Sequence, residues 1–295
     1  MIPEYPKFKP LAFEDLDTLK NYLGKDKRQI CELNLANYYL WKDFDNSRLT
    51  IINRNLCILA SPVIESAYFF EPLGNDLMAE TVEICLKHAH KISRVSEGFV
   101  NHLASERYQI APLRNQFDYI YNVKELAELK GKKFYGKRNH IKRFKKHFPA
   151  YKFVALEPSL KNQALELFEK WFEIRKESRY FPKLAQAAQK NALEAAFLNF
   201  DRLNLLGTAI LVDDSLSGFI LGSQLNSDTF CAHFMYCHPD LSGISQTLLW
   251  EACRKTFARY TFLNLEQVLG IPGIRISKLS YQPVKMEKKF EITLT

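Results

Sequence analysis

No stretch of this chain approaches the ~18 consecutive apolar residues that a helix needs to cross a bilayer. The N-terminus, Met1-Ile2-Pro3-Glu4-Tyr5-Pro6, lacks the basic-then-apolar pattern of a signal peptide, so a cytoplasmic protein is expected. None of the six cysteines (Cys31, Cys57, Cys85, Cys231, Cys237, Cys253) belongs to a CxxC pair. They fall mostly in apolar segments, which predicts free buried thiols in a reducing compartment rather than disulfides or a zinc site. No His, Asp and Glu stand at a recognisable metal-ligand spacing, and His233 and His238, five apart across a strand and its loop, are not expected to face one site. GxSxG, Walker and Rossmann patterns are absent. The expectation is no metal and no covalently bound cofactor.

Acid is missing from one place in particular. Nine basic residues lie between Lys130 and Lys146 (Lys130, Lys132, Lys133, Lys137, Arg138, Lys142, Arg143, Lys145, Lys146) with no Asp or Glu among them. The chain carries +8 overall; its 41 basic residues less these nine leave 32 against 33 acidic. One mid-chain segment therefore supplies the whole excess. Phe134, Ile141, Phe144 and Phe148 recur within it at helical spacing, which predicts a helix that packs on one side and presents charge on the other. Lys137, Arg138, Asn139, Lys142 and Arg143 are its candidate contacts to anions. An RNA backbone and an anionic membrane surface both fit such a face; its plain alternative is a solvated helix between domains.

The length of 295 residues allows two ordinary domains, and 47% hydrophobic with 25% charged residues suits a globular protein. In the N-terminal half the patterns read as strand Phe8–Ala12, helices Phe13–Leu23 and Ile30–Trp41, and a hairpin of Leu49–Ile52 with Leu56–Ala60. Then come strand Tyr68–Gly74, helix Asp76–His90, strand Ile92–Val95, helix Phe99–Glu106 and strand Phe117–Val123. The C-terminal half follows a similar order: strand Tyr151–Leu156, helices Asn162–Ile174 and Lys183–Phe200, and strands Leu205–Val212, Gly218–Leu225 and Thr229–Tyr236. Helix Gln246–Ala258, strand Thr261–Asn264, a short helix and one or two strands within Val284–Leu294 complete it. Two α/β copies are expected: a domain over 1–128, a basic connecting helix over 129–150, and a second domain over 151–295 that carries the site.

The loop from His238 to Ser245 ends a strand and opens a helix, where free backbone N–H groups and the helix dipole favour an anion such as phosphate. Gly243, Ile244, Ser245 and Gln246 are the candidate donors. Glu266 follows a short strand, at a strand end where it can accept a proton or hold an amino group. Arg275 and Lys278, three apart on a short helix, suit a phosphate or a carboxylate, and Gln267 is a candidate substrate contact. Gly270, Pro272 and Gly273 read as the turn that places these residues.

The element order resembles the GNAT acyltransferase fold. In that family the loop between the fourth strand and the next helix binds the pyrophosphate of acyl-CoA, and here that loop is Leu241–Gln246. It departs from the usual Arg/Gln-x-x-Gly-x-Gly/Ala, with only Gly243 and Ser245 at the small positions. Tyr281 would match the general acid that many GNAT enzymes use on the leaving group; core packing is its plain reading.

Over essentially the whole chain the sequence resembles the C-terminal domain family of bacterial phosphatidylglycerol lysyltransferases. Two motifs carry this likeness, Gly136-Lys137-Arg138-Asn139-His140-Ile141-Lys142-Arg143-Phe144 and the stretch from Asn264-Leu265-Glu266-Gln267 to Ser280-Tyr281-Gln282-Pro283. The resemblance implies an α/β fold of two tandem GNAT-like domains, each a mixed sheet flanked by helices, a plan shared with Fem-type aminoacyltransferases. It implies transfer of an aminoacyl group from aminoacyl-tRNA, or an acyl group from acyl-CoA, to an amine or hydroxyl. tRNA would be a partner, and an anionic lipid or a peptidoglycan precursor the acceptor. The contrasting reading is a non-catalytic module that binds RNA or an anionic membrane surface through the basic helix.

Overall fold

The computed structural model describes residues 1–24, 29–103, 106–174 and 183–295. The chain opens with β1 (Lys9–Pro10), α1 (Leu16–Leu23) and α2 (Leu35–Leu40). The hairpin β2 (Arg48–Ile52) and β3 (Asn55–Ala60) follows, then β4 (Tyr68–Phe69), α3 (Met78–Ala89), β5 (Lys91–Ser96), α4 (Glu97–His102) and β6 (Tyr108–Pro112). Next come β7 (Asp118–Asn122), α5 (Val123–Glu128), α6 (Tyr135–His147), β8 (Lys152–Ala155), α7 (Lys161–Glu173) and α8 (Lys183–Leu198). A meander of β9 (Leu205–Val212), β10 (Ser215–Gln224) and β11 (Thr229–Cys237) leads to α9 (Ile244–Lys255), β12 (Phe262–Asn264), α10 (Pro272–Leu279), β13 (Lys285–Glu287) and β14 (Lys289–Leu294).

These elements build a mixed α/β protein with two seven-stranded sheets, ordered β1-β2-β3-β4-β5-β14-β6 and β13-β7-β12-β11-β10-β9-β8. Each sheet contains one parallel pair among its registered neighbours, β4 with β5 and β11 with β12. Each parallel pair is bridged by a helix, α3 or α9, as a crossover requires. The last strand of the chain, β14, pairs with β5 and β6 in the first sheet, while β7 pairs with β12 in the second.

That exchange corrects the expected boundaries at 128 and 150. One compact unit comprises Met1–Asp118, Gln267–Gly270 and Met286–Thr295; the other comprises Tyr119–Glu266 and Ile271–Lys285. The basic helix α6 belongs to the second unit rather than forming a connector. Hydrophobic patterning shows that β7 and β14 are strands but cannot say which edge they join, because pairing is a long-range choice.

The local differences have definite physical causes. The expected helix Ile30–Trp41 is broken: a 3-10 turn over Cys31–Leu33 precedes α2, and Asn34 caps α2 by accepting the Ala36 N–H at 2.8 Å. The Cys31 N–H is held at 2.7 Å by the Asp118 carboxylate. The strand β6 and helix α5 lie outside the expected pattern, and part of the expected helix Phe99–Glu106 falls outside the described residues.

The core of the first unit includes Leu19, Leu33, Ile58, Phe69, Val82, Leu86 and Ile292. In the second unit Phe219, Leu221, Phe230, Leu248, Phe257 and Leu263 are buried, and the Phe230 and Phe257 rings stack at 4.4 Å. Burial of each such side chain contributes about 1.5–3 kcal/mol.

Candidate active site in the second unit

Glu266 is fixed at both backbone and side chain. It follows β12 by two residues and adopts φ +57, a left-handed conformation that costs an L residue roughly 1–2 kcal/mol. Neighbours hold it there: its N–H donates to Asn264 Oδ1 at 2.6 Å, and its carbonyl accepts from the Tyr119 N–H at 3.2 Å and Lys278 Nζ at 3.0 Å.

The side chain of Glu266 meets two residues that sequence reasoning did not select. His233 Nδ1 lies 2.8 Å from Glu266 Oε1, and Cys231 Sγ lies 3.3 Å from the same oxygen. Ser223 Oγ lies 2.8 Å from His233 Nε2. Register explains the convergence. Cys231 pairs with Asn264 in the parallel ladder, which brings Glu266 alongside His233. On the other side, the β10–β11 register skips His233 between the pairs Leu221↔Phe234 and Gly222↔Ala232. His233 is thus the extra residue of a β-bulge, a device that re-aims a side chain. Gly222 permits the close approach there, since a Cβ at that position would lie 2.0 Å from the Cys231 carbonyl. The one trace of this in the sequence is Cys231-x-His233 on a strand facing Gly222-Ser223.

Beyond Cys231, β11 leaves β12, and its ladder continues with β10 alone. Further along, a cavity of about 290 Å³ is lined by the loop from Cys237 to Gln246 together with His140 of α6 and Trp171 of α7. The predicted anion loop thus lines a cavity. The parts of its residues differ from expectation. Gly243 has φ +89, and a Cβ there would lie 2.4 Å from the His140 carbonyl, so this glycine serves the approach of α6 to α9. The Ile244 side chain is buried in the core, and its N–H goes to the Leu241 carbonyl at 3.1 Å. Ser245 and Gln246 form the first turn of α9, with Ser245 Oγ 3.2 Å from Gln246 Oε1. His238 lines the cavity whereas His233 binds Glu266.

Several of the expected site residues have partners within the protein. Lys278 Nζ donates to the carbonyls of Leu265 at 2.5 Å and Glu266 at 3.0 Å, which fastens the Glu266 loop to α10. Arg275, one turn earlier, is half-buried. Tyr281 is buried, and burial drives its phenol well above the usual tyrosine range. Lys137 Nζ lies 3.8 Å from the centre of the Tyr281 ring and 2.7 Å from Ser280 Oγ, and burial lowers its pKa. Gln267 belongs to the first unit, where its Oε1 accepts from Cys31 Sγ at 3.1 Å.

The nine cations are not all unopposed, as the sequence suggested. Lys130 pairs with Glu128 and Lys133 with Glu125, each at 2.9 Å. Arg138 closes the C-terminus of α5, donating to the carbonyls of Leu129 at 2.5 Å and Gly131 at 2.8 Å. Ile141 and Phe144 are buried as predicted. Among the residues that α6 exposes, Asn139, Lys142, Arg143 and Lys146 are spaced three and four apart on one face.

Among the described residues, two groups of side chains bring atoms that could ligate a metal within 4.8 Å of one another, although sequence spacing revealed neither: Cys231, His233 and Glu266, and in the first unit Cys31, Glu32 and Asp118. In the first unit the Lys289 ammonium already bonds to all three members. All six cysteines are free thiols.

The model of the family "Phosphatidylglycerol lysyltransferase, C-terminal" matches residues 26–293. The chain belongs to this family. A conserved protein of unknown function from Bacteroides thetaiotaomicron is 27% identical with a TM-score of 0.86, each chain covered in full. The structure of L-PGS from Bacillus licheniformis shares the fold, with a TM-score of 0.66 at 14% identity over 100% of this chain and 94% of that one. An uncharacterised protein of Mycoplasmoides gallisepticum is 25% identical over 177 residues, 59% of this chain and 54% of that protein, so the match spans about half of the relative's length. Of the two sequence stretches that carry the resemblance, the second contains Glu266 and the first contains Asn139, Lys142 and Arg143 of α6. Among the described residues, no helix is long and apolar enough to cross a membrane.

Proposed function

We propose that this family member transfers an aminoacyl group from aminoacyl-tRNA to a hydroxyl or amine, with the chemistry in the second unit. The observation that carries the reading is Glu266: a carboxylate held in a left-handed backbone at a strand end, fixed by His233 and Cys231, where two parallel strands part. A carboxylate so placed is suited to take the proton of the attacking group. The acceptor oxygen or nitrogen adds to the ester carbonyl, the bond to the tRNA ribose oxygen breaks, and that oxygen regains a proton, so the donor leaves as free tRNA. Asn139, Lys142, Arg143 and Lys146 suit the sugar–phosphate backbone, and the cavity beside them, at the opening of α9, suits a phosphate. On this reading the two units are tandem GNAT-like domains, supported by their matching sheet orders and crossover helices. The family description points to phosphatidylglycerol, hence to a headgroup hydroxyl as acceptor.

The test incubates the purified chain with tRNA charged with labelled amino acid and vesicles with and without phosphatidylglycerol, with acetyl-CoA as the competing donor. Label passing to lipid, and falling 10²–10⁴-fold or so in Glu266→Gln, is the expected result. Label that stays on tRNA with every acceptor, while acetyl-CoA is consumed, replaces the donor with acyl-CoA. Tight, salt-sensitive RNA binding that is indifferent to Glu266→Gln, without transfer, favours the non-catalytic module.

A further inference from the structure

We infer that His233 is the positioning residue of Glu266, and that Ser223, His233 and Glu266 act as one hydrogen-bonded proton-accepting unit. The inference deepens the transferase reading and rests on it for its catalytic part, though the geometry makes claims of its own.

Three distances define the unit: 2.8 Å from Ser223 Oγ to His233 Nε2, 2.8 Å from His233 Nδ1 to Glu266 Oε1, and 3.3 Å from Cys231 Sγ to that oxygen. Ser223 and His233 are buried. A carboxylate is acceptor-only when ionised, so the imidazole must carry a proton on Nδ1 to bond it. A neutral ring then has its lone pair on Nε2, and the Ser223 hydroxyl, free to rotate, donates to it. Glu266 therefore selects the tautomer, the Ser223 hydroxyl donates to the lone pair this leaves on Nε2, and His233 orients the carboxylate.

The fold invests local irregularity in this arrangement. His233 is the bulged residue of β11, Gly222 lets the neighbouring strand approach, and Glu266 adopts a left-handed backbone held by Asn264 and Lys278. A regular ladder would leave His233 paired across β10. Among the ionisable groups that face the carboxylate are His233 and Cys231 from β11, and Lys278 of α10 reaches the carbonyl of the same residue. An acceptor proton taken by Glu266 stays on the carboxyl group while Nδ1–H keeps its orientation, and is then available to the departing oxygen.

The experiment uses the full chain with ¹⁵N-labelled histidine, together with pH profiles of transfer. His233 is expected as the Nδ1–H tautomer; Ser223→Ala should keep that tautomer and move the Nε2 resonance, and Glu266→Gln should move the Nδ1 resonance. His233→Leu, which cannot donate, should shift the acid limb of the profile upward by about one pH unit, because loss of a donor raises a carboxylate pKa. It should lower kcat more than KM. His233→Asn, which keeps an N–H near the Nδ1 position, should restore the limb. An Nε2–H tautomer overturns the unit whatever the activity. Correct tautomers in a chain that transfers nothing leave the unit standing and refute the transferase reading. Stoichiometric uptake of added Zn²⁺, lost in Cys231→Ser, makes Glu266 a metal ligand and overturns the inference.

Discussion

Lys289 Nζ lies 2.6 Å from Asp118 Oδ1, and both side chains are completely buried. The same ammonium bonds Glu32 and lies 3.2 Å from Cys31 Sγ. Burial pulls the lysine pKa down, but its interactions with Asp118, Cys31 and Glu32 outweigh it and leave it well above the usual range. The Glu32 carboxyl is raised, by burial first and by Asp118. Lys289→Met should therefore strand buried carboxylates and destabilise the first unit by about 3–5 kcal/mol, read by urea unfolding. Lys289→Met with Asp118→Asn and Glu32→Gln should recover much of that loss.

Asp45 gives a pH dependence with a definite sign. Burial pushes its pKa up from 3.8 to about 7, only partly opposed by Arg94. The folded state thus binds a proton there that the unfolded chain has released, so this group's contribution falls as pH rises from about 4 to 7. Asp45→Asn should flatten the stability profile over that window and raise stability at pH 8, by a few kcal/mol at most. Thermal unfolding at a series of pH values reads both effects.

Gly243→Ala joins two penalties. The backbone is at φ +89, and the new Cβ would meet the His140 carbonyl at 2.4 Å. At least about 1–2 kcal/mol should be lost from the conformation alone, read as a lower urea midpoint. Anion binding at the adjacent cavity should weaken with it, because α6 supplies His140 to that cavity.

The exposed face of α6 predicts a graded response to salt. If Lys142, Arg143 and Lys146 each neutralise a phosphate, the triple alanine variant should reduce the slope of log affinity for tRNA against log salt by about 2–3. Arg138→Ala should act through stability instead, since its guanidinium closes α5. Filter binding at several salt concentrations, set beside unfolding curves, separates the two.

Local chemistry made much of this protein legible before folding was considered. Period-two and helical patterns located the strands β9 to β11, the helices α6 and α9, and the buried stripe of Phe134, Ile141 and Phe144, because those signals depend on neighbours in the chain. The strand-end position of Glu266 was readable in the same way, whereas the two motifs were legible only through the resemblance to a family. Tertiary structure alone decided that β14 joins the first sheet and β7 the second, that Lys278 and Arg138 bind carbonyls, and that Gln267 meets Cys31. It alone brought Ser223, His233 and Glu266 into line, through one residue of bulge and one register of a parallel pair. A chain encodes its periodicities locally, but which of two compatible edges pair, and which side chain a bulge turns inward, is settled by contacts between residues far apart in sequence.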